Sequence, residues 1–181
     1  FKNSYEWDKQ LSKSTMHNIK TQIKAYSITT IANIYFERRE AINENLISQN
    51  YYINKLGTDM EFIKDIENFK PSFLISFYEK ENKISTQRLR ALKFLVKANC
   101  NFNNGIIYRG NFTFYKAKYN DITNSQVSYQ MLEGLNPGNG LKWEQSITKH
   151  IRKLEISFKY SGEINSNNKI HYGQIELKKY F

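Results

Sequence analysis

The sequence is poor in the side chains that bind metals through nitrogen or sulfur. It has one cysteine, Cys100, and three histidines among 181 residues. A single cysteine excludes an internal disulfide and leaves the redox compartment open. The histidines, His17, His150 and His171, do not stand at the spacings of structural zinc ligands. The sequence therefore predicts no metal site, and nothing in it indicates a cofactor.

Long apolar runs are also absent. Near the start of the chain, the longest stretch without a charged residue covers residues 25–36 and has twelve residues, whereas a membrane-spanning helix needs about 20. The sequence therefore predicts no transmembrane helix. The chain opens at Phe1 rather than at a methionine. An anchor or signal ahead of Phe1 would place the domain outside the cytoplasm, and the sequence itself leaves the compartment open.

Glycine and proline are missing from the first 56 residues. Apolar side chains recur there at spacings of three, four or multiples of these, as at Leu11, Ile19, Ile23, Tyr26 and Ile34. This pattern predicts a long helix, or an antiparallel helix pair, before Gly57. Gly57 then reads as a helix end, with Thr58 or Asp59 capping a second, shorter helix.

Beyond Pro71 the apolar period changes from helical to alternating. The segment 92–102 alternates apolar and polar residues, the Asn104-Gly105 pair predicts a tight turn, and 106–119 predicts the returning strand. A short helix over 124–133, a loop and a second hairpin from Ile151 follow. We expect one α+β domain: a helical region over 1–70, then an antiparallel sheet of about four to five strands over 71–181, two hairpins separated by the short helix and the loop.

Catalytic patterns are scarce. No serine stands in a Gly-x-Ser-x-Gly elbow, and no glycine-rich phosphate loop is present. The Glu176-Leu177-Lys178 triplet resembles the Glu-x-Lys element of metal-dependent nucleases, a family that also needs an acidic residue upstream. No aspartate occurs between Ile151 and Glu176. We therefore assign no catalytic residue and expect a non-enzymatic protein, with a metal-dependent nuclease as the more distant alternative.

Charge is the most informative global property, because 27 Lys and Arg against 17 Asp and Glu give a formal net charge of +10. Such a surplus favours anionic partners, either nucleic acid or an acidic membrane surface. Aromatic residues alternate with the basic ones in the predicted strands, an arrangement that can stack bases and neutralise phosphates. The candidate binding residues are Arg109, Lys116, Lys118, Lys149, Arg152, Lys153 and Lys159, with aromatic contacts from Tyr108, Tyr115 and Tyr119.

The loop Asn136–Gly140 (NPGNG) resembles the Asn-Pro-x-Gly element of periplasmic domains in type IV secretion systems. The resemblance implies a component of a membrane machine. Together with the overlong predicted helix, it favours an interaction or assembly module with a basic face, the water-exposed part of a membrane-anchored complex such as a secretion or conjugation apparatus. The expected partners are other protein subunits, including further copies held through the N-terminal helix. A nucleic-acid-binding protein that uses the basic aromatic face is the first alternative.

Overall fold

The computed structural model describes residues 11–42, 49–121, 123–166 and 168–180, and strands dominate them. One short helix, α1, interrupts the series between the sixth and seventh strands. The elements are β1 (Leu11–Ala25), β2 (Ile28–Ile42), β3 (Tyr51–Lys64), β4 (Phe69–Asn82), β5 (Arg88–Phe102), β6 (Ile106–Tyr119), α1 (Gln126–Leu132), β7 (Gly138–Ile151), β8 (Leu154–Asn165) and β9 (Lys169–Lys179).

All nine strands form one antiparallel sheet in which each strand pairs with the next one along the chain, from β1 to β9. The strands have 11 to 15 residues, against a usual length of about 5 or 6. The pairing register is continuous along each pair, as in β5 and β6, where Leu89 lies opposite Tyr119 and Phe102 opposite Ile106. Within the described residues, β1 and β9 each pair on one side only, and they form the two open edges.

The two ends of the sheet carry connections of different length. At one end, called the turn end, four connections have two, four, three and two residues. At the other, the loop end, they have eight, five, eighteen and three residues. Tight turns favour left-handed backbone, and Tyr26 and Arg152 adopt positive φ values of 55° and 52° in the two-residue turns. The eighteen-residue connection contains α1.

The α+β prediction is wrong, because the described parts of the predicted helical region over 1–70 form β1, β2, β3, the first two residues of β4 and the connections between them. Residues 1–10 and 43–48 lie outside the described part. The apolar spacing misleads for a physical reason. Residues four apart share a face in a helix, and they also share a face in a strand, whose period is two. Ile19 and Ile23 fit both periods. The sheet has nine strands rather than four to five.

Gly57 does not end a helix but lies inside β3. It stands opposite Tyr35 of β2 in the register. The Tyr35 ring covers the glycine so closely that a Cβ atom there would overlap the ring. The predicted short helix after Gly57 is therefore wrong as well, and its residues continue β3. Glycine at this position makes room for a tyrosine to lie flat on the sheet.

The helix predicted over 124–133 is present as α1, and the hairpin predicted around Asn104-Gly105 joins β5 and β6. In the part of the chain that the structure covers, no helix combines the length and the apolar character needed to cross a membrane. α1 has seven residues, and its apolar side packs on the sheet.

Candidate functional site

The two faces of the sheet differ sharply in chemistry. On one, the apolar face, large hydrophobic side chains point away from the sheet and are exposed. Examples are Leu56 at 59%, Phe77 at 44% and Phe114 at 50%. The other, the polar face, carries charged and hydroxylated side chains and is the face on which α1 lies. Each strand therefore alternates, with Phe94 on the apolar face next to Lys93 on the polar face.

The apolar face forms an uninterrupted band across the central strands. In β4 every residue of that face from Phe69 to Phe77 is apolar, and so is every one in β5 from Leu92 to Phe102. In β6 the face carries no charge from Ile106 to Phe114, and the ring of Tyr108 lies over Gly110 within that stretch. These stretches cover 9 to 11 residues of strand. Towards the loop end the same face ends in charges, here called the charged collar: Glu79, Glu81, Arg88, Arg90, Lys116 and Lys118.

The apolar band runs obliquely to the strands. One row of directly paired residues starts in the band at β2 and leaves it at β6: Ile34, Thr58, Phe77, Leu92, Lys116 and Asn139. A row nearer the turn end begins in β4 and stays in the band as far as β9: Phe69, Cys100, Tyr108, Ile147, Phe158 and Ile175. The strands are therefore tilted with respect to the band, as they are in closed β-barrels.

α1 begins at a well-formed cap. The Ser125 hydroxyl accepts a hydrogen bond from the Ser128 amide at 3.0 Å, and the Ser125 amide donates to the Ser128 hydroxyl at 2.9 Å. Met131 and Leu132 are buried and belong to one apolar cluster with residues of the polar face, including Tyr78. The helix therefore lies on the sheet rather than projecting from the loop end.

Glu133, which follows α1, ties the helix to three neighbouring strands. Its carboxylate lies 3.0 Å from Lys80 Nζ, 3.0 Å from Lys55 Nζ and 3.3 Å from Arg39 Nη2. Lys80, whose side chain is 2% exposed, also donates to the Gln130 carbonyl at 2.8 Å. Burial opposes ionisation of Glu133, but attraction by Lys80 and Lys55 outweighs it and lowers the pKa of the carboxyl below its ordinary value of 4.5. The cluster of Glu133, Arg39, Lys55 and Lys80 is called the Glu133 latch.

The latch predicts that α1 leaves the sheet in acid. Because the folded pKa of Glu133 is lowered, its stabilisation is complete well above pH 4.5 and is lost as the pH falls through the lowered value. We expect hydrogen exchange of the α1 amides, corrected for intrinsic rates, to accelerate below that pH, while amides of central strand β5 stay protected. In Glu133→Gln this acid step is absent; an unchanged step in that variant would contradict the role of Glu133.

A second carboxylate holds the segment after α1. Glu163 of β8 accepts hydrogen bonds from the Tyr115 hydroxyl at 2.8 Å and from Asn136 Nδ2 at 2.6 Å, and it lies 3.1 Å from Lys142 Nζ. Asn136 lies two residues before β7, which begins at Gly138, so the last three residues of the predicted loop 136–140 belong to the strand. The eighteen-residue connection is thus attached at two places, the latch on β2 to β4 and Glu163 on β8.

The residues predicted to bind an anionic partner do not share one surface. Strand alternation divides them between the two faces and the turn end. Arg109, Lys159, Tyr115 and Tyr119 lie on the polar face; Lys116, Lys118, Lys149 and Tyr108 lie on the other side of the sheet; Arg152 and Lys153 form the turn between β7 and β8. Their binding role stays a prediction.

The latch residues escaped sequence analysis. Arg39, Lys55 and Lys80 belong to three different strands and are far apart in sequence from each other and from Glu133. A signal that could have indicated Lys55 is the alternation along β3, which places Lys55, Asp59 and Glu61 on one face. No such signal marks Lys80, which stands between Glu79 and Glu81. Over the residues that the structure describes, His, Cys, Asp and Glu side chains form no group of three that could hold a metal.

No protein-family profile matches the chain, and no curated protein sequence matches it. Two solved structures do resemble it, both of OmpT, an outer membrane protein of Vibrio cholerae. The form expressed in the outer membrane has a TM-score of 0.61 and 7% identity and covers 88% of this chain and 52% of its own. The form folded in vitro has a TM-score of 0.61 and 8% identity, with 97% and 57% covered. The chain thus has a β-barrel-like, OmpT-like fold and spans little more than half the length of OmpT.

Proposed function

We propose that this chain forms part of the wall of an outer-membrane channel for small hydrophilic solutes. One observation carries the proposal: the sheet exposes a continuous apolar band on one face and charged side chains on the other. A water-soluble sheet hides its apolar face, because exposed apolar patches of this breadth promote association. A sheet between lipid and a water-filled lumen needs the reverse arrangement.

The height of the band supports this placement. A tilted strand crosses the hydrocarbon core of a bilayer with about 9 to 11 residues. The apolar stretches of β4, β5 and β6 have that length. The charged collar borders the band at the loop end, where lipid headgroups would begin. In the collar, Arg90 pairs with Glu79 at 2.7 Å and Arg88 with Glu81 at 3.1 Å.

The connections support the same placement. Outer-membrane barrels have short periplasmic turns and longer extracellular loops, and the turn end and the loop end differ in this way. In this proposal the turn end faces the periplasm. The likeness to OmpT, an outer membrane protein, supports the membrane placement itself.

The polar face would then line the lumen. The Glu133 latch holds α1 against it, so the eighteen-residue connection would narrow the water-filled path instead of extending outside. Channels are made selective by rings and clusters of charged side chains at such narrow points. Arg39, Lys55 and Lys80 give the wall beside α1 a surplus of positive charge over Glu37 and Glu133.

The open edges require further strands to close the wall. β1 and β9 run in the same direction, because the chain reverses its direction an even number of times between the first and the ninth antiparallel strand. A fully antiparallel barrel has an even number of strands. Closure therefore needs an odd number of additional strands, whichever polypeptide supplies them.

The proposal is tested by attaching an environment-sensitive fluorophore to single cysteines after Cys100→Ser. Three adjacent pairs sample both faces of β3, β4 and β5: Met60 with Asp59, Phe73 with Ser72, and Phe94 with Lys93. In phosphatidylcholine vesicles we expect spin-labelled lipid to quench the fluorophore at the first member of each pair. An aqueous quencher should act on the second.

Each pair is its own control, since its members are one residue apart and differ only in face. If the spin-labelled lipid, or the aqueous quencher, quenches both members of each pair equally in all three strands, the membrane placement is overturned. Single-channel conductance of the protein in planar bilayers then tests the channel itself. If the protein inserts stably into vesicles and quenching alternates but no conductance is measured, the channel function is wrong, and the placement of the sheet across the membrane stands.

The assembly module and the nucleic-acid-binding protein stay predictions. Assembly through an N-terminal helix has no basis in β1 and β2, which are strands. The edges of the sheet are the places where further subunits could add strands. For nucleic acid, the predicted basic residues would have to act from two opposite faces, and the membrane placement above uses these faces differently.

A further inference from the structure

A groove of about 400 Å³ crosses the polar face from β6 to β9, away from α1. Two rows of paired residues form it. Arg109 pairs with Ser146, which pairs with Lys159. In the next row Asn111 pairs with Glu144, which pairs with Ser161. Because the side chains of Ser146 and Ser161 are small, they leave a depression between the longer side chains on either side. A volume of this size suits a small solute.

Two charges in this groove are not engaged by the protein. Within the described parts of the chain, neither the Arg109 guanidinium nor the Glu144 carboxylate has an ion pair or a hydrogen bond from its side chain. Both are exposed. The third charge, Lys159, is committed, since it lies 2.8 Å from Glu176. The groove thus presents one available cation and one available anion.

The positions of Arg109 and Glu144 keep them apart but close. They are diagonal neighbours on adjacent strands, because Arg109 stands opposite Ser146, two residues along β7 from Glu144. Diagonal neighbours have Cα atoms about 7 to 8 Å apart, and the two side chains form no ion pair with each other within 4.0 Å. A small molecule with both signs of charge can lie between them.

We propose that this groove binds a small zwitterion with adjacent carboxylate and ammonium groups, that is, an α-amino acid. Arg109 donates to the carboxylate, and Glu144 accepts from the ammonium group. The proposal rests on the channel function proposed above and names a solute class for it. Tyr172, which also lines the groove and is 61% exposed, offers an aromatic surface to the side chain of the solute.

The pair of charges explains why a zwitterion fits better than an ion of one sign. A simple carboxylate is attracted by Arg109 and repelled by Glu144, and a simple amine is in the reverse position. A zwitterion gains from both and brings no net charge into the groove. Hydrogen bonds to charged groups are among the stronger ones, so losing one of them is expected to weaken binding by about tenfold or more.

The test uses three matched probes and the whole chain folded in detergent micelles. The probes are L-alanine, propionate, which lacks the ammonium group, and ethylamine, which lacks the carboxylate. Binding is followed by saturation-transfer NMR at neutral pH. We expect alanine to bind at least about tenfold more tightly than either propionate or ethylamine. Arg109→Gln and Glu144→Gln should each remove that advantage.

Matched controls remove the same charges from the other face. Arg38 and Glu40 lie on β2, outside the groove. Arg38→Gln and Glu40→Gln should therefore leave alanine binding unchanged. Equal binding of the three probes, or full binding in both groove variants, would overturn the zwitterion site. If quenching alternates within the fluorophore pairs but alanine does not bind, only the zwitterion site is wrong. If quenching does not alternate and alanine does not bind, the membrane placement is wrong as well.

Discussion

Replacing Val96 by arginine is expected to destabilise the protein in a phospholipid bilayer by about 2 to 4 kcal/mol. Val96 lies near the middle of the apolar stretch of β5, between Phe73 and Phe112 in its row. A charge at this depth of the proposed hydrocarbon core loses its hydration and finds no partner. The measurement is the free energy of unfolding, from urea titration in phosphatidylcholine vesicles with tryptophan fluorescence as the signal.

The control places the same arginine on the other face of the neighbouring strand. Thr113 lies on the polar face of β6, next to Phe112. Thr113→Arg should change the free energy of unfolding by no more than about 0.5 kcal/mol, as is usual for substitutions at hydrated positions. If Val96→Arg and Thr113→Arg have equal effects in vesicles, the apolar band does not face lipid.

Glu133→Gln is expected to loosen α1 by about 3 kcal/mol, since breaking a buried charge pair from one side leaves the other charge without compensation. Here the stranded charge is Lys80, whose side chain is almost fully buried. The helix should then open roughly 100-fold more often. Hydrogen exchange of the α1 amides and protease cleavage within residues 123–137 both measure this opening, and strand amides should be unaffected.

Two further variants separate the latch from a general loss of charge. Glu79→Gln breaks an exposed pair with Arg90 and should cost at most about 1 kcal/mol. Adding Lys80→Met to Glu133→Gln removes the uncompensated charge, so much of the protection should return. Unchanged protection of α1 in Glu133→Gln would show that apolar packing of Met131 and Leu132 alone holds the helix.

Local patterns in the sequence were sufficient for several elements. The alternation over 92–102 and the Asn104-Gly105 turn specify a hairpin, because side-chain period and turn chemistry agree there. The helix at Gln126–Leu132 follows from its serine cap and from apolar residues at helical spacing. In these places neighbouring residues contain the whole signal.

The N-terminal strands were decided by pairing instead. Side chains of β1 and β2 at four-residue spacing satisfy a helix as well as a strand, and no glycine or proline separates the two. Only the continuous register with β3, which itself continues through Gly57 beneath Tyr35, selects the extended form. The backbone N–H and C=O groups of a strand form their hydrogen bonds with a neighbouring strand. Local residues alone therefore cannot specify the extended conformation.

The candidate sites depend on tertiary structure even more. Arg39, Lys55, Lys80 and Glu133 are distant in sequence and meet because three strand registers align them and α1 folds back over the sheet. Arg109 and Glu144 become diagonal neighbours through the register of β6 and β7. The sequence by itself determined the charge surplus, the hairpin and the short helix; which charges share a face, and which of them remain without a partner, was decided by strand pairing, because it fixes both the side and the neighbours of every side chain at once.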